Sequence, residues 1–201
     1  MLKSICVFCG SSPGARIEYM RVAEEMGKTL AENNIRLIYG GSNIGLMGII
    51  AKTVLEHGGK VTGVMPEHLV DKEIAFKEIT DFKMVNTMHE RKAVMEKLSD
   101  GFIAMPGGFG TMDEIFEIIT WAQLQLHMKP CGFLNISNYY DRLFDFINHA
   151  IDEKFINASY RHLFQIDSDP QNLIKKMQEY QPLIIDKAKL AKSQNVKDTL
   201  F

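Results

Sequence analysis

The sequence predicts an α/β fold: a Rossmann-like, doubly wound parallel sheet with helices on both faces. Three observations carry this expectation. Short, nearly continuous apolar runs alternate with helical patterns along the chain, as strands buried on both faces and their crossover helices require. Three of the runs end in glycine-rich turns, which right-handed crossovers place together on the edge where such sheets bind ligands. The composition, 46% hydrophobic and 24% charged, is that of a globular domain.

The elements follow in order. Ser4-Ile5-Cys6-Val7-Phe8 reads as the first strand and ends at Gly10-Ser11-Ser12-Pro13-Gly14. A helix over 17–33 carries Met20, Ala23, Met26 and Leu30 on one face. Arg36-Leu37-Ile38-Tyr39 is the second strand, ending at Gly40-Gly41-Ser42-Asn43-Ile44-Gly45. The next helix, over 46–56, stops at Gly58-Gly59, a glycine C-cap pattern. A third strand runs over 61–65 until Pro66. Residues 66–87 are less regular, with a strand at 81–85, and a helix covers 88–98. A strand over 101–105 ends at Pro106-Gly107-Gly108-Phe109-Gly110-Thr111, and a helix spans 112–126. A strand at 131–134, a helix over 139–153, a short strand at 164–166 and a helix over 170–180 complete the pattern. A chain of 201 residues buries roughly 70% of its unfolded surface and needs no staples. We expect one domain over 1–181 and a loosely held Lys-rich tail over 182–201.

Charge and cysteine usage narrow the function. With 23 basic and 25 acidic residues, the net charge is −2, without the basic surplus of a chain that binds nucleic acid. No uncharged apolar run approaches about 18 residues, so no membrane span is expected. Nor does the N-terminal segment have the pattern of a signal peptide. Three cysteines, Cys6, Cys9 and Cys131, suit a reducing, cytoplasmic setting. Cys6 and Cys9 spell C-x-x-C, but three positions apart on a strand they point to opposite faces. A structural role is expected for both.

Glycine turns let backbone N–H groups approach an anion, and the following helix adds its positive end. Three such turns on one edge favour phosphate binding over tight turning alone. The spacing lacks G-x-G-x-x-G, and Leu46-Met47 stand where a Walker A loop needs Lys-Ser/Thr. Dinucleotide-dependent hydride transfer and triphosphate hydrolysis lose support. The histidines are scattered, and His89-Glu90 has Ala93 where H-E-x-x-H needs its second histidine. No catalytic metal is expected. No G-x-S-x-G elbow is present either.

Arg91 stands out on physical grounds. Met88, Arg91, Met95 and Leu98 share one helical face, so the arginine interrupts an apolar stripe. A buried arginine requires a carboxylate or phosphate; a structural ion pair, or a helix rotated to let it reach water, are the alternatives. Thr111-Met112-Asp113-Glu114 has the T-x-x-E spacing of a capping box, and on spacing alone Glu114 reads as a helix-terminal clasp whose ionised form the dipole favours. Trp121, seven residues on, could stack on a base, but aromatics at this spacing are more often core or interface.

Pro106-Gly107-Gly108-Phe109-Gly110-Thr111-Met112-Asp113-Glu114 matches the PGGxGTxxE motif of the Lonely Guy (LOG) family. Met88-His89-Glu90-Arg91-Lys92 resembles that family's MHxRK element, and Gly40-Gly41 through Gly45-Leu46-Met47-Gly48 its GGxxxGLMG turn. The resemblance covers roughly residues 4–180. It implies a phosphoribohydrolase that splits a nucleoside 5′-monophosphate, AMP or an N6-prenylated AMP, into base and ribose 5-phosphate, without a cofactor. By motif position, it implies Arg91 and Glu114 as the catalytic pair and Glu73 as an upstream substrate contact. Nucleotide contacts are expected at Lys92, Gly107, Gly108, Gly110, Thr111 and Thr120. Gly41, Gly45, Met47 and Ser11 are expected to help hold the substrate. A homodimer or higher assembly is also implied. Related Rossmann-like carriers hold ligands at this edge without hydrolysis and supply the alternative; the motif glutamate, which a carrier does not need, favours the enzyme. The decarboxylase label attached to some relatives would need a pyridoxal phosphate site, for which no pattern is present.

Overall fold

The computed structural model describes residues 2–70 and 74–182. Its strands are β1 (Ser4–Phe8), β2 (Arg36–Tyr39), β3 (Val61–Pro66), β4 (Asp81–Val85), β5 (Gly101–Ala104), β6 (Cys131–Leu134) and β7 (Phe164–Asp167). The helices are α1 (Ile17–Glu32), α2 (Gly45–Glu56), α3 (Met88–Leu98), α4 (Phe109–Gln123), α5 (Asp141–Asp152) and α6 (Pro170–Gln178). Among the described residues the seven strands form one sheet, in the order β4-β3-β2-β1-β5-β6-β7. Every pairing is parallel. The chain is thus the doubly wound α/β fold that its alternating pattern implies. Glu73 and residues 183–201 lie outside the described residues.

Past their first residues, Ser4 and Arg36, β1 and β2 are apolar and buried, as is β5 along its length, because both faces of the sheet are covered. Ile5, Val7 and Cys9 pack with Val22, Met26, Leu30 and Ile50 of α1 and α2 and with Leu173 of α6. Cys6 and Phe8 pack on the other face with Met95, Ile115, Ile118 and Tyr140, under α3, α4 and α5. The two cysteines therefore do face opposite sides of the sheet. All three cysteines are free and buried, and burial pushes their thiols up, Cys131 to about 12. Trp121 is half-buried and packs against the second cluster, as core rather than as a platform in a cleft. At one edge, β4 has Asp81 and Lys83 half-buried and Met84 exposed, the mixed pattern of a strand with an unpaired side.

Helix boundaries shift where side chains compete for the backbone. The helix expected over 139–153 starts at Asp141. Ahead of it, the Tyr140 amide donates to Asn135 Oδ1 and its hydroxyl to the Met105 carbonyl, which locks that residue into the preceding turn. The helix expected from 112 starts three residues earlier, at Phe109. Gly108 is the N-cap and no side chain caps it. Thr111 is therefore inside the helix, and Glu114 sits in the second turn instead of closing the first. The capping-box reading of Thr111 and Glu114 is corrected accordingly. A working cap stands at Thr87 instead: its Oγ1 accepts from the Glu90 amide (3.1 Å), while Glu90 Oε2 accepts from Asn86 N (2.8 Å).

The strand order reverses between β1 and β5, whose C-terminal ends part to either side. That topological switch point is where open α/β sheets hold ligands.

Candidate active site

A cleft of about 280 Å³ opens at the switch point. Its floor is the turn after β1 (Cys9, Gly10, Ser11); one wall is the start of α4 (Gly108 to Thr111, Asp113, Glu114) and the other is Met47, Leu69, Met88 and Arg91. The three glycine turns are joined by main-chain bonds. Gly10 N donates to the Pro106 carbonyl (3.0 Å) and Leu46 N to the Gly10 carbonyl (3.0 Å). Gly45 makes this possible: its φ of +58° and its packing directly on the Ser11 backbone leave no room for a Cβ. Beyond β2, Asn43 N donates to the Ile74 carbonyl and Phe76 N to the Gly41 carbonyl (2.9 Å each), so the chain that follows position 73 is anchored to the second glycine turn.

At the start of α4 the first-turn N–H groups have no side-chain cap, and residues 108–111 line the cleft. Orphan donors and the positive end of a four-turn helix make an anion-binding surface. Facing it is Arg91, only 6% exposed. Its Nη2 lies 3.4 Å from the Gly40 carbonyl and 3.9 Å from Glu114 Oε1, Nη1 lies 3.8 Å from Met88 Sδ, and Nε has no partner. Of the five donors a guanidinium offers, none makes a short charge-assisted bond among the described residues. The sequence reading of an arginine interrupting an apolar face describes this residue; the snorkelling alternative does not, because the side chain is buried. Gly40 is required beside it, since a Cβ there would collide with Nη2.

Glu114, with a side chain 12% exposed, lines the cleft beside this cation. A half-buried carboxylate and a buried guanidinium, beside uncapped helix donors, can hold an anion at one end of a ligand. They can also stabilise positive charge at the other.

Other expected positions divide clearly. Ser11, Met47, Gly108, Gly110 and Thr111 line the cleft with Arg91 and Glu114. Gly107 lies just behind it: it lines the adjoining depression that Tyr19 and Tyr139 share, and its carbonyl accepts from the Tyr139 hydroxyl (2.6 Å). Gly41 and Gly45 shape the turns without lining the cleft. Thr120 is turned to a separate apolar depression with Phe116, Ile147 and Tyr160, and its hydroxyl donates to the Phe116 carbonyl.

Lys92 does not line the cleft. Its Nζ sits 3.0 Å from Glu117 Oε2 and 3.2 Å from Asp113 Oδ2. Burial works to lower its pKa, but the bonds and charges of Glu117 and Asp113 outweigh that and raise it. Sequence reasoning left out Cys9, Gly10, Leu69 and Asp113 as lining residues. Cys9 and Gly10 were within reach, since they directly follow a strand that ends at the ligand-binding edge.

Comparison with known proteins places this geometry. A family model described as "Possible lysine decarboxylase" matches residues 47–177. The chain is 47% identical over 180 residues to the cytokinin riboside 5′-monophosphate phosphoribohydrolase LOG1 of Arabidopsis thaliana, covering 90% of this chain and 84% of that protein. It is 46% identical to the probable cytokinin riboside 5′-monophosphate phosphoribohydrolase LOGL9 of Oryza sativa subsp. japonica, over 90% of this chain and 80% of that one. Among solved structures, the molybdenum cofactor binding protein of Rippkaea orientalis superposes with a TM-score of 0.66 at 20% identity, covering 89% of this chain and 97% of that one. The molybdenum cofactor carrier protein of Chlamydomonas reinhardtii gives 0.66 at 19%, covering 90% and 98%; at such identities the likeness is one of fold. The switch-point cleft, its PGGxGTxxE helix start and this sequence identity lead to one conclusion: the chain belongs to the LOG family, the same family that the decarboxylase model describes.

Proposed function

We propose that this protein is a nucleoside 5′-monophosphate phosphoribohydrolase, acting on AMP or N6-substituted AMP. The observation that carries the reading is Arg91, buried to 6% exposure with Nε unpartnered among the described residues, beside Glu114 in a cleft walled by uncapped helix donors. Nearly half of the residues are shared with relatives that are named for this reaction, which supports it further.

In this reading the 5′-phosphate sits on the N–H groups at residues 108–111, helped by Ser11. Glu73 is carried as a substrate contact by motif position. The ribose C1′ lies towards Glu114. As the C1′–N bond lengthens, the bonding pair leaves with the base and positive charge develops on the sugar. The Glu114 carboxylate stabilises that charge, either directly or by taking a proton from the attacking water. Water adds OH to C1′, the base gains a proton, and ribose 5-phosphate and free base result. Arg91 orients the nucleotide and donates hydrogen bonds that strengthen as the base departs. Met47 and Met88 are the apolar walls available to the base.

Among the described residues no lysine lines the cleft, so none of them offers the amine that the Schiff-base chemistry of a pyridoxal phosphate decarboxylase starts from. The homodimer implied by the resemblance is part of the same proposal, with Thr120 and its apolar surroundings on the face available to a second copy.

The test is incubation with AMP and with N6-isopentenyl-AMP, assaying free base and ribose 5-phosphate. Glu114→Gln is expected to abolish release while retaining nucleotide binding. Arg91→Ala should lower kcat more than it raises KM. Nucleotide binding by the wild type without release of base would establish the carrier alternative instead.

A further inference from the structure

The groups proposed to do the chemistry sit on different helices, Arg91 on α3 and Glu114 on α4, with β5 between them in sequence. Their 3.9 Å separation is too long for a hydrogen bond and does not fix the two helices in register. A different contact, one residue away on α3, does. Lys92 extends from α3 to α4, where its ammonium donates to Asp113 Oδ2 (3.2 Å) and stands 3.0 Å from the buried Glu117 Oε2 as an ion pair. Asp113 precedes Glu114, and Glu117 follows it by one helical turn on the same side. The clasp therefore brackets Glu114 on α4 and adjoins Arg91 on α3.

The two arms are not equal. Asp113 is 60% exposed, and such a pair contributes little. Glu117 is 27% exposed and closer. Lys92, 13% exposed, would be left as a partly buried charge without it.

We infer that Glu117, acting through Lys92, is a positioning residue that sets the spacing of Arg91 and Glu114, and that Lys92 is not a ligand of the substrate phosphate. This rests on the nucleotide-hydrolysis reading. It reassigns the lysine that motif position alone would give to the nucleotide, and it gives Glu117 a role that no motif assigns. Both groups act through the geometry of the reacting pair, which is sensitive: a displacement of about 1 Å at a reacting centre costs on the order of 100-fold in rate.

The experiment compares wild type with Glu117→Gln, Lys92→Met, the double variant, Lys92→Arg and Asp113→Asn. Readouts are kcat and KM for AMP, the affinity for ribose 5-phosphate by calorimetry, and the melting temperature. Each of the first two variants is expected to lower kcat roughly 10- to 100-fold, with KM and ribose 5-phosphate affinity within about twofold of wild type. The double variant should be no worse than the poorer single one, because the pair acts as a unit. Lys92→Arg should recover most of the rate, and Asp113→Asn should lose much less than Glu117→Gln. If Lys92→Met fails to fold, the kcat-against-KM split in the isosteric Glu117→Gln decides alone.

The inference is overturned if Lys92→Met weakens ribose 5-phosphate binding about tenfold or more while Glu117→Gln leaves kcat unchanged; the lysine is then a phosphate ligand. Unchanged kcat in both variants also overturns it. A wild type that releases no base overturns the hydrolysis reading and this inference together; an active wild type beside unaffected variants overturns this inference alone.

Discussion

Gly40 offers a sharp test of Arg91, because the substitution that matters is outside the proposed chemistry. An alanine Cβ at this position would fall on Arg91 Nη2 and within 3.0 Å of Met47 Sδ. Carbon and nitrogen settle at about 3.5 Å, so the guanidinium must retreat by roughly 1 Å or more. The atom displaced is the far end of a flexible side chain, so folding should tolerate it. Stability is expected to change by about 1 kcal/mol or less, or a shift of about 2–4 °C in Tm for a chain of this size. Catalysis should not tolerate it. A 1 Å misplacement costs on the order of 100-fold, equivalent to about 2.7 kcal/mol of transition-state stabilisation. The assay is kcat/KM for AMP with Gly40→Ala, Arg91→Ala and the double variant, beside thermal melts. Because alanine at 40 acts through Arg91, the double variant should be no slower than Arg91→Ala alone. Full activity in Gly40→Ala, or losses that add in the double variant, would refute the placement of the guanidinium.

Two further outcomes follow from burial. His127, 8% exposed, has Nε2 2.9 Å from the Ile118 carbonyl, and its Nδ1 accepts from Lys129 N; burial lowers its pKa below 6.5, partly offset by that carbonyl and by Glu96. The unfolded chain then binds more protons, so this contribution to stability is complete above about pH 6.5 and is lost as pH falls from there through the folded-state value. Urea midpoints at about pH 7.5 and 5.5 should fall further for wild type than for His127→Gln, and equal falls would exclude this histidine. The three buried thiols should resist Ellman's reagent in the native protein and react fully in denaturant. With Cys131 held at about 12, its thiolate fraction at pH 8 is only on the order of 10⁻⁴. One rapidly reacting native thiol, protected by nucleotide, would instead show that Cys9, on the cleft floor, is reached by the reagent.

The sheet was legible because a strand buried on both faces has few polar residues to blur it, and glycine marks where each strand stops. β1, β2, β4 and β6 have the bounds their apolar runs suggest. The start of α4 was not legible, since Gly108 and Gly110 read as turn and T-x-x-E spacing precedes both α3 and the expected start of α4. The chain caps Thr87 and not Thr111, and a local pattern cannot distinguish them: Thr111 is buried against Gly107 by the meeting of two turns. Arg91 was legible because a charge on an apolar face is anomalous by itself. The clasp of Lys92 with Glu117 was invisible, because it spans helices separated by a strand. Motif position assigned that lysine to the nucleotide, and only the distances show which carboxylates it serves. Thr120 illustrates the same limit, since nothing local reveals that its helix turns it away from the cleft.

The central place of β1 bears on how the chain comes to be folded. The first strand to be made pairs with β2 on one side but must wait for β5 on the other, Ile5 lying beside Gly101. At 5–20 residues per second, the ribosome needs roughly 5–20 s to supply that partner. During this interval the sheet β4-β3-β2-β1 has a bare apolar edge, the kind of surface that recruits other chains. Arrival of β5 closes that edge, and only then does α4 bring its glycines and Glu114 to Arg91. Nascent chains halted short of residue 104 should therefore depend on chaperones more heavily than finished ones, and the cleft should be the last part of the molecule to exist.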